Sequence, residues 1–338
     1  MSETQGGALD RPRSDPVDRP LIWDNHACPP MDLKDPAIVY ACLERYRAAG
    51  VTVVSLNTGY GEMPLAEHLK LLAQLRAIVR GRPETLMMVG SIGDVLQAKA
   101  TGRLAVVFDI EGAAPLAGAV ESIDLFYDLG VRWILLAYNR TNIFASGCHD
   151  GDDGGLTPEG RRLVDRMSQV GMVTCLSHVG YRTARDVLEY AAGPVIFSHS
   201  NPRALCDHPR NIPDDLIRAC AASGGTVGVN GLKLFLGGEG PTPRRVAEHI
   251  DYVVQLAGVE TAALGLDFVF DLDELNLEKA AMASTFPVGL GYEQPVACTP
   301  PEAIDLICVE LRQRGYDEAA LSAILGGNLV RVAQARWR

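Results

Sequence analysis

Six short apolar runs in this chain are each followed at once by side chains that do chemistry: Asp24-Asn25-His26-Ala27-Cys28, Asp109-Ile110-Glu111-Gly112, Tyr138-Asn139-Arg140, Ser177-His178, Ser198-His199-Ser200 and Gly265-Leu266-Asp267. All but the Tyr138 group supply an imidazole or a carboxylate. Neutral imidazole and carboxylate together suit zinc-like ions, so this set around one cavity would hold one or two divalent transition metals. A carboxylate such as Glu111 is suited to bridging two of them. Two ions about 3.5–4 Å apart hold a hydroxide for attack on a carbonyl, which is metal-assisted hydrolysis.

Such a set functions only if the runs are strands whose carboxyl ends share one mouth. Eight apolar runs rich in Val, Ile and Leu read as strands: Leu21–Asp24, Val51–Leu56, Leu104–Ile110, Trp133–Ala137, Met172–Leu176, Pro194–Phe197, Thr226–Val229 and Ala262–Leu266. Amphipathic stretches lie between them, among them Pro36–Ala49, Leu65–Arg80, Pro158–Val170, Tyr181–Ala191 and Pro243–Ala257. Strands apolar on both faces suit an all-parallel sheet covered by helices, and eight βα units predict a single (β/α)8 TIM-type barrel, with chemistry at the strand carboxyl ends. No GxGxxG follows the first run, against an open dinucleotide-binding sheet. The TLMMVGS stretch near residue 88 is read as part of a long connection. The tail from Pro300 reads as two extra C-terminal helices, the second entered through Asp317-Glu318. The expected organisation is a flexible segment over 1–18 and one barrel domain over 19–338.

With 47% hydrophobic and 22% charged residues, the 338-residue chain has ample material for a large core. A net charge of −11 argues against a nucleic-acid partner. No apolar run approaches the length of a membrane span, and the first twenty residues lack a signal-peptide centre, so no membrane partner and a cytoplasmic location are expected. The eight cysteines include no CxxC pair and read as mostly reduced thiols, with Cys42, Cys220 and Cys308 packing inside helices. His68, His149, His208 and His249 fall in helices or loops and read as solvated or capping residues, the loop of His149 lying nearest the mouth. The chain lacks GxSxG, HExxH and GxxxxGK[ST] motifs. A Cys28 nucleophile beside His26 is the weaker competing scheme.

Taken jointly, these motifs resemble the membrane (renal) dipeptidase family, metal-dependent dipeptidases with an amidohydrolase-like barrel. The stretches that carry the resemblance run from about Leu21 to Val332. They are WDNH, DIEG, GVRWILLAYNRTN, GLTPEGRRLVDRMSQVGMVTCLSHVG, PVIFSHSNPRALCDHPRNIPDD, GLDF and ILGGNLVRV. The resemblance implies two divalent ions, most simply Zn²⁺, with Glu111 as bridging carboxylate, His178 and His199 in one site and His26 in the other. It implies that Arg210 grips the substrate's terminal carboxylate and that Asp267 shuttles the proton to the leaving amine. Tyr138 takes the place of a histidine that contacts the scissile carbonyl, where a phenol donates the same hydrogen bond. The implied partner is a small dipeptide, and a homodimer is common in the family.

One departure stands out. The family carries His-x-Asp after the first strand, and this chain carries His26-Ala27-Cys28. A thiolate is a competent zinc ligand with a longer bond, so Cys28 would complete a softer site. The leading reading is therefore a metal-dependent dipeptidase. Its alternatives are a related barrel hydrolase acting on another amide, lactam or lactone, and a catalytically impaired relative whose first metal site is lost with the Asp.

Overall fold

The computed structural model describes residues 19–238 and 240–338; the segment expected to be flexible, 1–18, lies outside the described residues. Among the described residues ten strands occur in chain order: β1 (Trp23–Cys28), β2 (Val53–Tyr60), β3 (Leu86–Met88), β4 (Leu104–Glu111), β5 (Val131–Leu135), β6 (Val173–Cys175), β7 (Ile196–Phe197), β8 (Thr226–Val229), β9 (Ala262–Leu264) and β10 (Phe268–Val269). All pairings between them are parallel. The path β1-β2-β4-β5-β6-β7-β8-β9 closes on itself through Asp24 opposite Leu264, giving the expected (β/α)8 barrel.

The covering helices are α1 (Ala37–Ala48), α2 (Leu65–Arg80), α3 (Ile92–Thr101), α4 (Ser122–Asp128), α5 (Pro158–Val170), α6 (Tyr181–Tyr190), α7 (Asp214–Ala222), α8 (Lys233–Leu236) and α9 (Pro243–Ala257). Helix α10 (Leu272–Ala281) follows β10, and α11 (Ile304–Gln313), α12 (Glu318–Ser322) and α13 (Asn328–Arg336) form the tail. Asp317 caps α12 by accepting the amide of Ala320, and a π-helical turn over Ala323–Gly327 joins α12 to α13. The second tail helix is thus one rod with an internal bulge. Among the described residues no helix is long and apolar enough to cross a membrane.

Alternation along the strands sorts the core into layers. Val54, Leu56, Val106, Phe108, Ile110 and Ile134 pack outward against helices. Their neighbours Trp23, Val53, Ala105, Val107 and Ala263 turn into the ring and meet Leu329 and Ala333 of α13, while Trp133, Leu135 and Val173 meet Val332 of the same helix. The tail helix therefore plugs the amino-terminal end. On the inward face of β4, Ala105 and Val107 are succeeded by Asp109 and Glu111, so the filling turns from apolar to acidic toward the carboxyl end.

Several elements differ from the expectation, among them β10, α3 and α10, which it lacks. The TLMMVGS stretch is not a plain connection: Leu86, Met87 and Met88 pair with Leu104, Ala105 and Val106, adding a short strand beside β4 outside the ring. The first strand lies further along the chain than Leu21–Asp24, so His26 and Cys28 belong to the strand itself. Its register against β2 shifts between Asp24 and Ala27. Asp24 alternates outward from Trp23, to the hydroxyl of Tyr46 and the amide of Leu266, and the irregularity after it lets His26, two residues on, turn into the mouth instead.

Candidate metal centre

Three imidazoles reach one carboxylate at the mouth of the barrel. Glu111 Oε1 lies 3.5 Å from His26 Nε2, 3.2 Å from His178 Nε2 and 3.0 Å from His199 Nε2. His178 Nε2 and His199 Nε2 are themselves 3.0 Å apart, and the His26 and His199 rings stack at 4.1 Å. His26, His199 and Glu111 are all at least 96% buried.

Each ring is held from behind through Nδ1. His26 Nδ1 faces Asp109 at 3.2 Å, His178 Nδ1 meets Asn139 Oδ1 at 2.7 Å, and His199 Nδ1 meets Ser198 Oγ at 2.7 Å. With Nδ1–H donating to these acceptors, all three Nε2 atoms present lone pairs to the same point, the tautomer of a metal-ligating histidine. Asp109 is fixed in turn by the Ser55 hydroxyl at 2.6 Å and the Asn57 amide at 3.2 Å, both on the inward face of β2.

Lone pairs of three imidazoles facing a carboxylate repel unless a cation lies between them. Glu111 Oε1 is buried with no hydrogen-bond partner. Burial alone would raise the Glu111 carboxyl and lower the His26 imidazole, but with no metal bound a proton on His26 holds Glu111 well below the usual range, and Glu111 and Asp109 hold His26 well above its own; the cluster draws positive charge. Burial and the charge of Arg210 push His178 down to about 3, so it stays neutral. The donor set therefore fits divalent ions. Glu111, His178 and His199 form one group of mutually close donor atoms; His26, Cys28 and Glu111 form a second, and His26, His199 and Asp267 a third.

Cys28 turns toward this centre. Its Sγ lies 3.4 Å from His26 Nε2 and donates to Asp267 Oδ1 at 3.2 Å. Burial and the neighbouring Asp267 carboxylate keep the thiol well above its ordinary pKa. Asp267 is further held by the Asn230 amide, which donates to Oδ2 at 2.8 Å. Among the described residues the non-glycine positions with positive φ are Asn139, His178 and Asp267. All three sit at this centre, where strained backbone is retained to aim side chains. Gly265 permits the same crowding: a Cβ there would stand 2.0 Å from the Ser198 carbonyl oxygen, beside His199.

Tyr138 stacks on His178 at 4.3 Å and lies 5.1 Å from Tyr60, so its ring forms the roof of the site. Cys28, Glu111, Tyr138, His178 and Asp267 all border a cavity of about 560 Å³. Arg210 is placed differently from the other predicted residues. Its guanidinium is buried and donates to Ser200 Oγ at 3.0 Å and to the His199 carbonyl at 2.9 Å, leaving Nε without a partner. It borders a neighbouring cavity of about 290 Å³ that shares His178 with the first.

Asp109, Asn139, Ser198 and Asn230 escape the prediction as positioning groups. A signal existed for Asp109, two residues before Glu111 and so on the same face of a strand. His68, His208 and His249 are buried rather than solvated. Each instead meets a backbone carbonyl: His68 that of Thr58, His208 that of Leu290 and His249 that of Leu236, all at 3.0 Å. The more open His149 bonds the Tyr292 hydroxyl at 2.8 Å. All eight cysteines are free thiols, with Cys42, Cys220 and Cys308 buried in helices as expected.

Residues 44–336 match the model of the membrane dipeptidase family, peptidase family M19. The chain is similar to dipeptidase verJ of Clonostachys rogersoniana, 28% identical over 317 residues that cover 92% of this chain and 71% of that protein. It is similar also to an uncharacterized protein in the pqqA 5' region of Klebsiella pneumoniae, 33% identical over 285 residues, covering 81% of this chain and 96% of that protein. An amidohydrolase from Pseudomonas aeruginosa shares the fold with a TM-score of 0.85, at 24% identity over 95% of this chain and 98% of that one.

Proposed function

Because the chain belongs to the membrane dipeptidase family and is a metal-dependent dipeptidase, we propose that it cleaves dipeptides at the mouth described above, with two zinc-type ions. His178, His199 and Glu111 would hold one ion, and His26, Cys28 and Glu111 the other. Bound there, divalent ions polarise the scissile carbonyl and bring the pKa of water toward neutrality.

The chain's own side chains do the rest. Asp109, Asn139 and Ser198 fix the tautomers of the three imidazoles, so their Nε2 lone pairs are preset for ligation. Tyr138, whose hydroxyl burial keeps protonated, donates a hydrogen bond to the carbonyl oxygen as charge builds there. Asn230 occupies Oδ2 of Asp267, while Oδ1 accepts the Cys28 thiol proton; with Cys28 deprotonated as a ligand, Oδ1 would be released to accept a proton and return it to the departing amine. The buried Arg210 guanidinium, with Nε unengaged, draws the substrate's carboxylate end toward its side of the site.

The observation that carries this reading is the convergence of three Nε2 atoms on the unpartnered Oε1 of Glu111. Zinc-loaded protein tested against unblocked dipeptides, N-acyl amino acids, lactams and lactones is expected to release free amino acids from the dipeptides alone. It is expected to lose that activity on chelation. Turnover restricted to lactams or lactones would replace dipeptide hydrolysis with the alternative chemistry.

A further inference from the structure

The space on the two sides of the metal centre is unequal. The cavity of about 560 Å³ is walled by Leu232, Leu234, Phe235, Phe286, Tyr292 and Val296, within the usual size range of small-molecule sites, roughly 300–1,000 Å³. A second cavity of about 40 Å³ is walled by Pro29, Pro30, Tyr60, Asp271, Glu274 and Glu278. Cys28, Glu111, Tyr138, Val269 and Leu275 border both. A bond placed at the metal ligands therefore lies at the junction, with one half of the substrate on each side.

Helix α10 divides the two spaces. Leu275 and Lys279, one turn apart, border the large cavity; Glu274 and Glu278, also one turn apart on the adjacent stripe, border the small one. The Tyr60 hydroxyl donates to Glu278 Oε2 at 2.7 Å, and Glu274 Oε1 accepts the amides of Met31 and Asp32. One oxygen of each carboxylate stays uncommitted by these bonds. Neither acid forms an ion pair among the described residues. Since about 10–15 Å³ of such space holds one water, the small cavity takes about three heavy atoms. An ammonium nitrogen, its Cα and one Cβ amount to that.

Resting on the dipeptidase reading, we propose that the preferred substrates are unblocked dipeptides with a small N-terminal residue (Gly, Ala or Ser) and a bulky apolar C-terminal residue. The ammonium sits between Glu274 and Glu278. The C-terminal side chain fills the apolar cavity, with Lys279 on its wall and Arg210 in the neighbouring cavity beyond His178 supplying positive charge for the carboxylate. Glu278 and Glu274 are then specificity residues: they bind the free amine and reject a blocked one.

The test is a steady-state panel on zinc-loaded protein with Gly-Phe, Phe-Gly, Gly-Gly, Gly-Ala and N-acetyl-Gly-Phe, paired with calorimetric binding of the same compounds to metal-free protein. Gly-Phe is expected to exceed Phe-Gly by at least 100-fold in kcat/KM, and Gly-Gly by at least 10-fold. Glu278→Gln is expected to raise KM for Gly-Phe about 10-fold with little change in kcat, and to narrow its advantage over N-acetyl-Gly-Phe. Val296→Trp is expected to lower the Gly-Phe to Gly-Ala ratio about 10-fold. Turnover of Phe-Gly within threefold of Gly-Phe would overturn the substrate assignment and leave dipeptide hydrolysis standing. No turnover of any dipeptide, with Gly-Phe still bound at least 10-fold more tightly than Phe-Gly, would instead overturn the hydrolytic reading and support the assignment of the cavities. Absence of both turnover and preferential binding would overturn the two together.

Discussion

His178 Nε2 and His199 Nε2 stand 3.0 Å apart, and with each Nδ1–H given to Asn139 or Ser198 the two nitrogens face each other as lone pairs. Glu111 Oε1 closes the triangle at 3.2 and 3.0 Å. Without a cation the triangle is repulsive, so the folded chain is destabilised locally by its own ligand set. Zn²⁺ is therefore expected to raise the melting temperature, by a margin corresponding to about 2.7 kcal/mol when its concentration is a hundred times Kd. Glu111→Gln supplies an amide that donates to one imidazole. That variant is expected to match or exceed the metal-free wild type in stability while losing the metal-induced shift. A metal-free Glu111→Gln protein clearly less stable than metal-free wild type would count against a repulsive, cation-shaped site.

Cys28 lies with His26 and Glu111 in one group of ligand atoms, and a thiolate there makes a soft site. Substitution with Co²⁺ should produce a sulfur-to-metal charge-transfer band in the near ultraviolet. Cys28→Ser should abolish the band, and Cys28→Asp should retain the second ion without it. An identical spectrum in wild type and Cys28→Ser would show that Cys28 does not bind the ion.

Asp109 touches no substrate but accepts from His26, Ser55 and Asn57. Asp109→Asn preserves shape and removes the charge that makes His26 a strong ligand. Losing such an outer partner costs about 10–100-fold in metal affinity. The expected result is weakening of that order at the ion proposed for His26, measured by competition with a chromophoric chelator. Unchanged metal affinity would leave Asp109 as a purely structural acid.

Much of this centre is legible in the chain itself, for a physical reason: a barrel strand carries its apolar and ionisable positions in a fixed alternation, and the six polar clusters sit where each run stops. What is harder to read follows from weak patterning. Leu86–Met88 has three residues, too few to show a period, and gains its identity only by pairing with β4. Helix α10 has no buried residue, so no apolar stripe marks it, although it frames both cavities. His68 and His249 were within reach. His68 shares its helical face with Leu71, Leu72 and Leu75, and His249 shares one with Val246, Ile250 and Val253, stripes that point inward.

The proposed function gives the Tyr138 hydroxyl the scissile carbonyl oxygen as its partner, and the ring is fixed against His178 whatever the hydroxyl does. Tyr138→Phe should keep that stacking. Loss of one donor to a developing oxyanion costs about 100–1,000-fold in kcat, so a fall of that order is expected, with metal content unchanged. A variant within threefold of wild type would remove the phenol from the mechanism.

His68 makes the acid limit of the fold predictable. Its Nδ1–H donates to the Thr58 carbonyl, its Nε2 is buried without a partner, and a Cβ on Gly59 would collide with its ring. Burial lowers its pKa to about 4. The unfolded chain takes up the proton near the ordinary value of about 6.5, so between these limits the unfolded state binds more protons than the folded one. Stability from the neutral ring is thus complete above about pH 6.5 and is lost as the pH falls toward 4, on the order of 3 kcal/mol in all. Urea unfolding of chelator-treated protein at pH 7, 6, 5 and 4.5 should show this decline. His68→Gln keeps a donor for Thr58 but does not titrate, and should decline less steeply by up to one proton per molecule. Other buried histidines titrate alike in both proteins, so the difference between the two slopes isolates His68. Equal slopes would mean that His68 is protonated in the folded chain.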